Sequence, residues 1–106
     1  MIVHTKPLSV NKCWRGRRFK TDDYKAYETK LLYLLPAFKV PEGKLKVLLT
    51  FGLSSKLADV DNPVKAFVDI LQKRYKFNDR DIYEMILKKV DVPKGKEFIE
   101  YEIKEL

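Results

Sequence analysis

Acidic residues are concentrated in one short part of this otherwise basic chain. The run Asp59-Val60-Asp61-Asn62 is followed by Lys65, and further acids stand at Asp79 and Asp81. Neighbouring carboxylates repel one another unless a positive charge lies between them, and a hard divalent cation supplies that charge while preferring oxygen ligands. The spacing therefore predicts a Mg²⁺ site, with Mn²⁺ as a substitute, and the surrounding positive charge predicts a polyanionic substrate.

Three of these carboxylates, Asp59, Asp61 and Asp79, are the candidate metal ligands. Asp59 and Asp61 are two residues apart, so in an extended segment their side chains point the same way. Asp79 follows 18 residues after Asp61. A strand that begins near Ile82 and lies beside the one ending near Phe51 would bring it back to the pair. A metal ion held there can polarise a phosphodiester and lower the pKa of bound water.

Lys65 lies one helical turn after Asp61, on the same face of a predicted helix. It could neutralise the attacking or leaving oxygen, or simply pair with an aspartate. The alternative for the whole motif is structural, because Asp and Asn are preferred helix caps. Asp79 and Asp81 also suit a turn. Asp69, four residues after Lys65, predicts an ordinary ion pair on the helix surface.

The composition narrows the chemistry further. The chain has 106 residues, the length of one domain, and carries 22 Lys and Arg against 15 Asp and Glu, with a net charge of +7. That balance favours nucleic acid or an anionic surface as the partner. Cys13 and His4 are the only cysteine and histidine, so a Cys/His zinc site within the chain is not expected. No signal peptide or apolar run of membrane-spanning length is present, which predicts a cytoplasmic protein.

A basic segment near the amino terminus is the predicted nucleic-acid contact. Its cations are Lys12, Arg15, Arg17, Arg18 and Lys20. Arginine binds phosphate oxygens through two parallel hydrogen bonds, and each phosphate neutralised steepens the dependence of binding on salt. Trp14 and Phe19 could stack on exposed bases, although Trp14 could equally pack on the sheet. The segment keeps neither a helical nor a strand period and is predicted to be a loop.

The apolar periodicity predicts an α+β domain with helices packed on a mixed sheet. The predicted elements are a strand over 2–5, a helix between Thr21 and Pro36, a strand over 45–51, a helix over 63–75, residues 82–90, and a strand over 99–103. Asp61 or Asn62 is the expected cap of the second helix. Residues 82–90 fit a helix or a strand, and the turn after them favours a hairpin with the last strand. The predicted order is β-α-β-α-β-β.

The same residues resemble the signature of the RusA-like Holliday junction resolvases. That pattern is Asp-x-Asp-Asn-x-x-Lys, then a helix, then an acidic pair before a strand, and it covers nearly the whole chain in order. The matching positions are Asp59 to Asn62, Lys65, Asp69 to Leu71, and Asn78 to Ile82. Pro7-x-Ser9-x-Asn11, a basic aromatic segment and a helix containing Ala26-Tyr27 are also typical of the family.

The resemblance implies a single RusA-like domain over residues 1–106. It implies a homodimeric, Mg²⁺-dependent endonuclease that resolves four-way DNA junctions by paired nicks during recombination and repair. Asp59, Asp61 and Asp79 would bind the metal and Lys65 would act electrostatically in catalysis. Two other functions remain open: a nucleic-acid-binding module without cleavage, and a metal nuclease for another branched DNA.

The chain departs from the family pattern at three places, one of which is Pro63 at the start of the second helix. The first position of the usual acidic pair is Asn78, so Asp79 is the matched third ligand and Asp81 is an alternative. Family members often carry a basic residue directly before the first aspartate. Here that position is Ala58, and the basic residue Lys56 stands two positions earlier, so Lys56 is the expected DNA contact there. A chromosomal and a viral role both remain open.

Overall fold

A computed structural model describes residues 1–9 and 20–106, together with the backbone of residues 14, 15 and 19. In chain order its elements are β1 Ile2–Val3, β2 Trp14–Arg15, β3 Phe19–Lys20, α1 Asp22–Leu34, β4 Leu45–Leu53, α2 Val64–Tyr75, β5 Ile82–Asp91 and β6 Phe98–Glu105. A mixed four-stranded sheet carries α1 and α2, which confirms the α+β class and the predicted order of the main elements.

Helix α1 begins as the sequence predicts. The Thr21 hydroxyl accepts a hydrogen bond from the Tyr24 amide at 3.1 Å, which satisfies one of the free donors of the first turn. Asp22 and Asp23 lie in that turn, where negative charge is favourable. The helix ends because Leu35, directly before Pro36, is extended.

Strand β4 is the centre of the sheet, whose strand order is β1-β6-β4-β5. It pairs in parallel with β5 and antiparallel with β6, so the predicted hairpin of β5 with β6 is wrong. The residues between β5 and β6 carry the chain past β4, a distance of about 10 Å for two strand spacings. Helix α2 connects β4 to β5, as a parallel pair requires a crossover connection.

The basic segment contains a short antiparallel pair rather than loop alone. Trp14 lies opposite Lys20, and Arg15 opposite Phe19, in the β2–β3 ladder. This corrects the prediction that no strand forms there. The expected contacts Lys12, Arg17 and Arg18 lie outside the described residues, and of Trp14 and Arg15 only the backbone is described.

The core lies between the helices and one face of the sheet. Phe67 of α2 packs edge-on against Phe51 of β4 and Tyr101 of β6, with ring centroids 6.2 and 5.5 Å apart. The Tyr75 and Tyr101 hydroxyls share a buried hydrogen bond of 2.8 Å. Burial, followed by that hydrogen bond, raises the pKa of Tyr101 above its ordinary value, so the phenol stays neutral and the core stays uncharged. In the described part of the chain, neither helix has the length and apolarity needed to cross a membrane.

Candidate active site

The acidic motif forms two consecutive turns between β4 and α2. The amide of Asn62 donates to the carbonyl of Asp59 at 3.3 Å, and the amide of Val64 donates to the carbonyl of Asp61 at 3.1 Å. The expectation of an extended segment is therefore wrong, and the alternation of strand side chains does not explain how Asp59 and Asp61 lie. Both residues are exposed, so their carboxylates remain accessible to an ion or to a substrate.

The predicted capping role of this motif is also wrong. The residue before α2 is Pro63, whose backbone is already helical, and no side chain caps the helix. Neither Asp61 nor Asn62 is therefore used as the helix cap that their composition predicts. Among the described residues, neither Asp59 nor Asp61 is within ion-pair distance of a cation.

Lys89 of β5 holds the loop that carries the motif. Its ammonium group donates to the carbonyl oxygens of Lys56 and Ala58 at 3.2 and 2.8 Å. Lys89 lies opposite Phe51 in the parallel ladder, on the face of the sheet that the helices cover. Sequence reasoning missed Lys89, because a lysine in a strand is ordinarily assigned to solvent. The available signal was its place in the alternation of the apolar residues Met85 and Leu87.

A pocket of about 410 Å³, here called the loop pocket, opens beside the motif. It brings together four separate segments: the chain after β1, the first turns of α1, the end of β4 with the loop that follows it, and the turn between β5 and β6. Its polar lining residues are Lys6, Ser9, Asp23, Ser54, Ser55, Asp59, Asn62 and Glu97. Asp59 thus shares one solvent-open space with two further carboxylates and with the serine from which the basic segment continues.

Glu97, which lines this pocket, is another residue that sequence reasoning missed. The Ser54 hydroxyl donates to its carboxylate at 2.9 Å, and the Gly95 amide donates at 2.8 Å. Its own backbone amide, followed by the Ser54 hydroxyl, holds the pKa of Glu97 below its ordinary value. Glu97 is therefore an ionised rim group near neutral pH, and it keeps the loop pocket acidic.

Asp79 and Asp81 lie in a short 3-10 helix before β5. Asn78 caps it by accepting from the Arg80 amide at 2.9 Å. The Asp79 amide donates to the side-chain oxygen of Gln72 at 2.8 Å. Gln72 is eight residues beyond the start of α2, about 12 Å along the helix axis.

The structure therefore does not bring Asp79 to Asp59 and Asp61. Because β5 is parallel to β4, its first residue Ile82 lies beside Leu45, at the start of β4, instead of beside Phe51. The strand adjacency was predicted, but its direction leaves Asp79 alongside the second half of α2. In residues 1–9 and 20–106, no group of three or more Asp, Glu, His or Cys side chains is placed to hold a metal ion.

Lys65 and Asp79 instead line a groove of about 410 Å³ between α2 and β5. Asp69 lines it too, and its carboxylate accepts from the Lys65 ammonium at 3.5 Å. This confirms the predicted surface ion pair. The Lys65 side chain is 65% exposed, so the pair is weak and leaves the ammonium group available to another anion.

Two of the predicted DNA contacts, Lys20 and Lys56, lie among the residues whose side chains the structure describes. Lys20 pairs with Glu28 at 3.3 Å and stands over the Tyr24 ring, 4.9 Å from its centroid. Lys56 is exposed in the loop before the acidic motif. Lys20 therefore borders the amino-terminal end of α1, where Glu28 partly neutralises it. Lys56 lies next to Ser55, which lines the loop pocket.

No protein-family model matches the chain, and no curated protein matches it. The family resemblance therefore depends on the sequence motifs alone.

The donor set at the motif fits a hard cation in part. Asp59, Asp61 and the Asn62 side chain offer oxygen atoms, and no thiol or imidazole is among them. Mg²⁺ commonly takes one or two carboxylates and completes its shell with water and substrate phosphates. Two exposed aspartates therefore suit a site that is completed by its substrate, whereas Asp79 is not grouped with them.

Proposed function

We propose that this protein is a metal-dependent endonuclease that resolves four-way DNA junctions, as its resemblance to the RusA-like resolvases implies. One observation carries the proposal: the loop pocket joins Pro7 and Ser9 to Asp59 and Asn62. These residues belong to two segments of the resemblance that are distant in the sequence, since Ser9 and Asp59 lie 50 positions apart. Their meeting at a solvent-open pocket with exposed carboxylates favours a shared functional site over two unrelated turns.

Each residue of the motif has a role in this proposal. Asp59 and Asp61 would hold Mg²⁺ or Mn²⁺, with water and substrate phosphates completing the shell. The third ligand that the resemblance implies, Asp79 or its substitute Asp81, lies apart from this pair, so the ion is bound without it in this proposal. The bound ion would polarise the phosphodiester and lower the pKa of a bound water. Lys65 neutralises charge on the reacting phosphate, because its weak pair with Asp69 can exchange for a stronger anion.

The basic segment binds the DNA backbone in the same proposal. Ser9 lines the loop pocket, and the chain continues from it into the cations Lys12, Arg15, Arg17, Arg18 and Lys20. Phosphate contacts made there would place the junction strand beside Asp59, and Trp14 would stack on an exposed base. Lys56 adds a cation on the opposite side of the motif. The proposed protein works in the cytoplasm as a homodimer, since paired nicks need two equivalent sites.

Cleavage of a four-way junction, a matched duplex and a single strand, each with and without Mg²⁺, tests this function. We expect nicks at symmetric positions in the junction alone and only with the metal. Asp61→Asn should bind the junction without cutting it, and should also lose Mn²⁺ binding followed by electron paramagnetic resonance. Asp91→Asn removes an exposed acid at the end of β5 and serves as the matched control.

The outcomes separate the three candidate functions. Junction binding without cleavage by the wild type would identify a non-catalytic binding module. Cleavage of flaps or three-way branches in preference to four-way junctions would identify a nuclease for another branched DNA. Cleavage by Asp61→Asn at the wild-type rate would remove the acidic motif from the chemistry altogether.

The third ligand is tested in the same assay. Asp79→Asn and Asp81→Asn remove the same charge two residues apart. Because neither residue lies beside Asp59 and Asp61, we expect both variants to keep cleavage and Mn²⁺ binding near the wild-type level. Loss of both in Asp79→Asn alone would instead identify Asp79 as the third ligand that the resemblance implies. Loss of activity in Asp81→Asn alone would transfer the role to that residue.

A further inference from the structure

Strand β5 is a long strand at the edge of the sheet. It has ten residues and, within the described part of the chain, forms a ladder with β4 alone. Three large hydrophobic side chains along it are exposed, Tyr83 by 62%, Val90 by 42% and Ile86 by 36%. A long edge with exposed apolar side chains and free backbone groups is a template for pairing with another strand.

The residues of β5 are complementary to β5 itself when it is run in the opposite direction. If Ile86 is placed opposite Ile86 of a second copy, Glu84 lies opposite the partner subunit's Lys88, and Lys88 lies opposite the partner subunit's Glu84. Glu84, Ile86 and Lys88 lie on the same face of the strand, the one opposite the helices, because they follow the irregularity between the pairs of Leu45 and Lys46 and alternate regularly from there. Opposite charges and apolar pairs directly across an antiparallel ladder stabilise it.

We propose that a second copy of this chain docks on β5, edge to edge and antiparallel, with Ile86 at the two-fold axis. Two four-stranded sheets then form one continuous sheet, and the interface is isologous because the same strand serves both copies. The proposal deepens the proposed function, on which its biological meaning rests, by naming the surface that forms the homodimer.

This arrangement places the two candidate sites on the same side of the dimer. A two-fold axis that relates antiparallel neighbours in one sheet is normal to the sheet, so both helix layers face the same way. The acidic loop follows Leu53, which lies opposite Asp91, five residues from Ile86. At about 3.3 Å per residue, the two loops begin about 33 Å apart at opposite ends of the paired strands. One branched substrate lying across the helix side can therefore meet both sites.

Lys89 does not block this pairing. Lysine on an edge strand often prevents association, but the Lys89 ammonium is held by the carbonyls of Lys56 and Ala58 within its own chain. Glu84 pairs with Lys46 at 3.2 Å while its side chain remains 48% exposed. It can therefore accept a second cation from across the edge.

Disulfide cross-linking tests the register in a Cys13→Ser background. In Ile86→Cys the two thiols face each other across the axis, with Cα atoms about 4.5–5.5 Å apart, which suits a disulfide. We expect a covalent dimer under mild oxidation. Val90→Cys is the matched control, because in this register the two copies of Val90 lie about 26 Å apart along the strands. Mixing Glu84→Cys with Lys88→Cys should also give a covalent dimer, because these positions face each other in the same register.

Charge exchange tests the same interface without a covalent bond. Lys88→Glu sets two pairs of like charges across the edge and should weaken dimerisation, followed by analytical ultracentrifugation, by about tenfold. Glu84→Lys combined with Lys88→Glu should restore it. Lys94→Glu makes the same charge change in the turn after β5 and should leave the dimer intact. Melting temperatures of all variants identify any loss of folding.

A wild-type protein that sediments as a monomer at tens of micromolar overturns the proposal. So does cross-linking of Val90→Cys alone as efficient as that of Ile86→Cys. Failure of the proposed function has a different signature: a dimer cross-linked through Ile86→Cys that does not cut junctions leaves this interface in place and removes the nuclease activity.

Discussion

The ammonium group of Lys89 donates a 2.8 Å hydrogen bond to the carbonyl oxygen of Ala58, the residue directly before Asp59. The two residues are 31 positions apart in the chain. The contact joins the loop of the acidic motif to β5, the strand on which we propose that the dimer forms. The position of Asp59 thus depends on a side chain from a different element.

Lys89→Met should loosen this loop while leaving the fold intact, because methionine keeps much of the side-chain length and loses the donor. We expect amide exchange at Asn62 and Val64, the two donors of the motif's turns, to accelerate at least about tenfold. Junction cleavage should fall with it. Lys94→Met, in the exposed turn after β5, is the control. Unchanged exchange in Lys89→Met would show that the turns hold themselves.

Glu28 should make the fold sensitive to acid. Its carboxylate accepts from Lys73 at 2.9 Å and from Lys20 at 3.3 Å, and its side chain is only 16% exposed. Partial burial acts to raise the pKa of Glu28, but the two lysines together outweigh it and hold the pKa below its ordinary value of 4.5. A carboxyl with a depressed folded-state pKa contributes stability above its unfolded pKa, and that contribution is lost as the pH falls through the folded value.

We therefore expect Glu28→Gln to lower the free energy of unfolding at pH 7 by about 1 kcal/mol. The difference from wild type should shrink below pH 4.5, where the wild-type carboxyl becomes protonated. Urea denaturation over a series from neutral to acid pH measures it. Glu42→Gln, an exposed acid in the turn before β4, should show no such dependence. A constant difference at every pH would mean that packing, and not charge, is responsible.

Local signals predicted the elements of this fold better than their pairing. The Thr21 cap and the Pro36 stop determine α1 through contacts within a few residues, and both were readable in the sequence. The partner of β5 was not, because it depends on a competition for β4. β4 has buried or half-buried residues on both faces, so it takes the central position, whereas β5 carries Glu84, Lys88 and other charges that suit an edge.

The sequence predicted only part of the candidate site, because local motifs are readable in a sequence and tertiary contacts are not. The motif from Asp59 to Asn62 was visible because its chemistry lies in consecutive residues. Its conformation was not, since two turns can replace an extended segment without any change in the pattern. The separation of Asp79 follows from the parallel direction of β5, and the contributions of Lys89 and Glu97 follow from tertiary contacts that no local spacing encodes.

Gly52 and Phe98 form a close cross-strand contact that should be sensitive to one methyl group. They face each other in the β4–β6 ladder, and a Cβ on Gly52 would overlap the Phe98 ring. Gly52→Ala should therefore destabilise the protein by about 1–3 kcal/mol, the usual range for overpacking. Phe98→Ala in the same chain should recover part of this loss. Additive effects in that double-mutant cycle would show that the two residues do not interact.

The salt dependence of junction binding should report on the basic segment. Each phosphate that a protein cation neutralises contributes about 0.9 to the slope of log affinity against log salt concentration. Arg17→Ala with Arg18→Ala should thus reduce the magnitude of the slope by about 2 and weaken binding at low salt. Lys94→Ala with Lys96→Ala removes the same charge from the turn between β5 and β6 and should change the slope little. If both pairs reduce the slope equally, the attraction comes from the net charge of +7 and not from contacts made by the segment. If only the arginine pair does so, the segment that follows the loop pocket is the DNA contact.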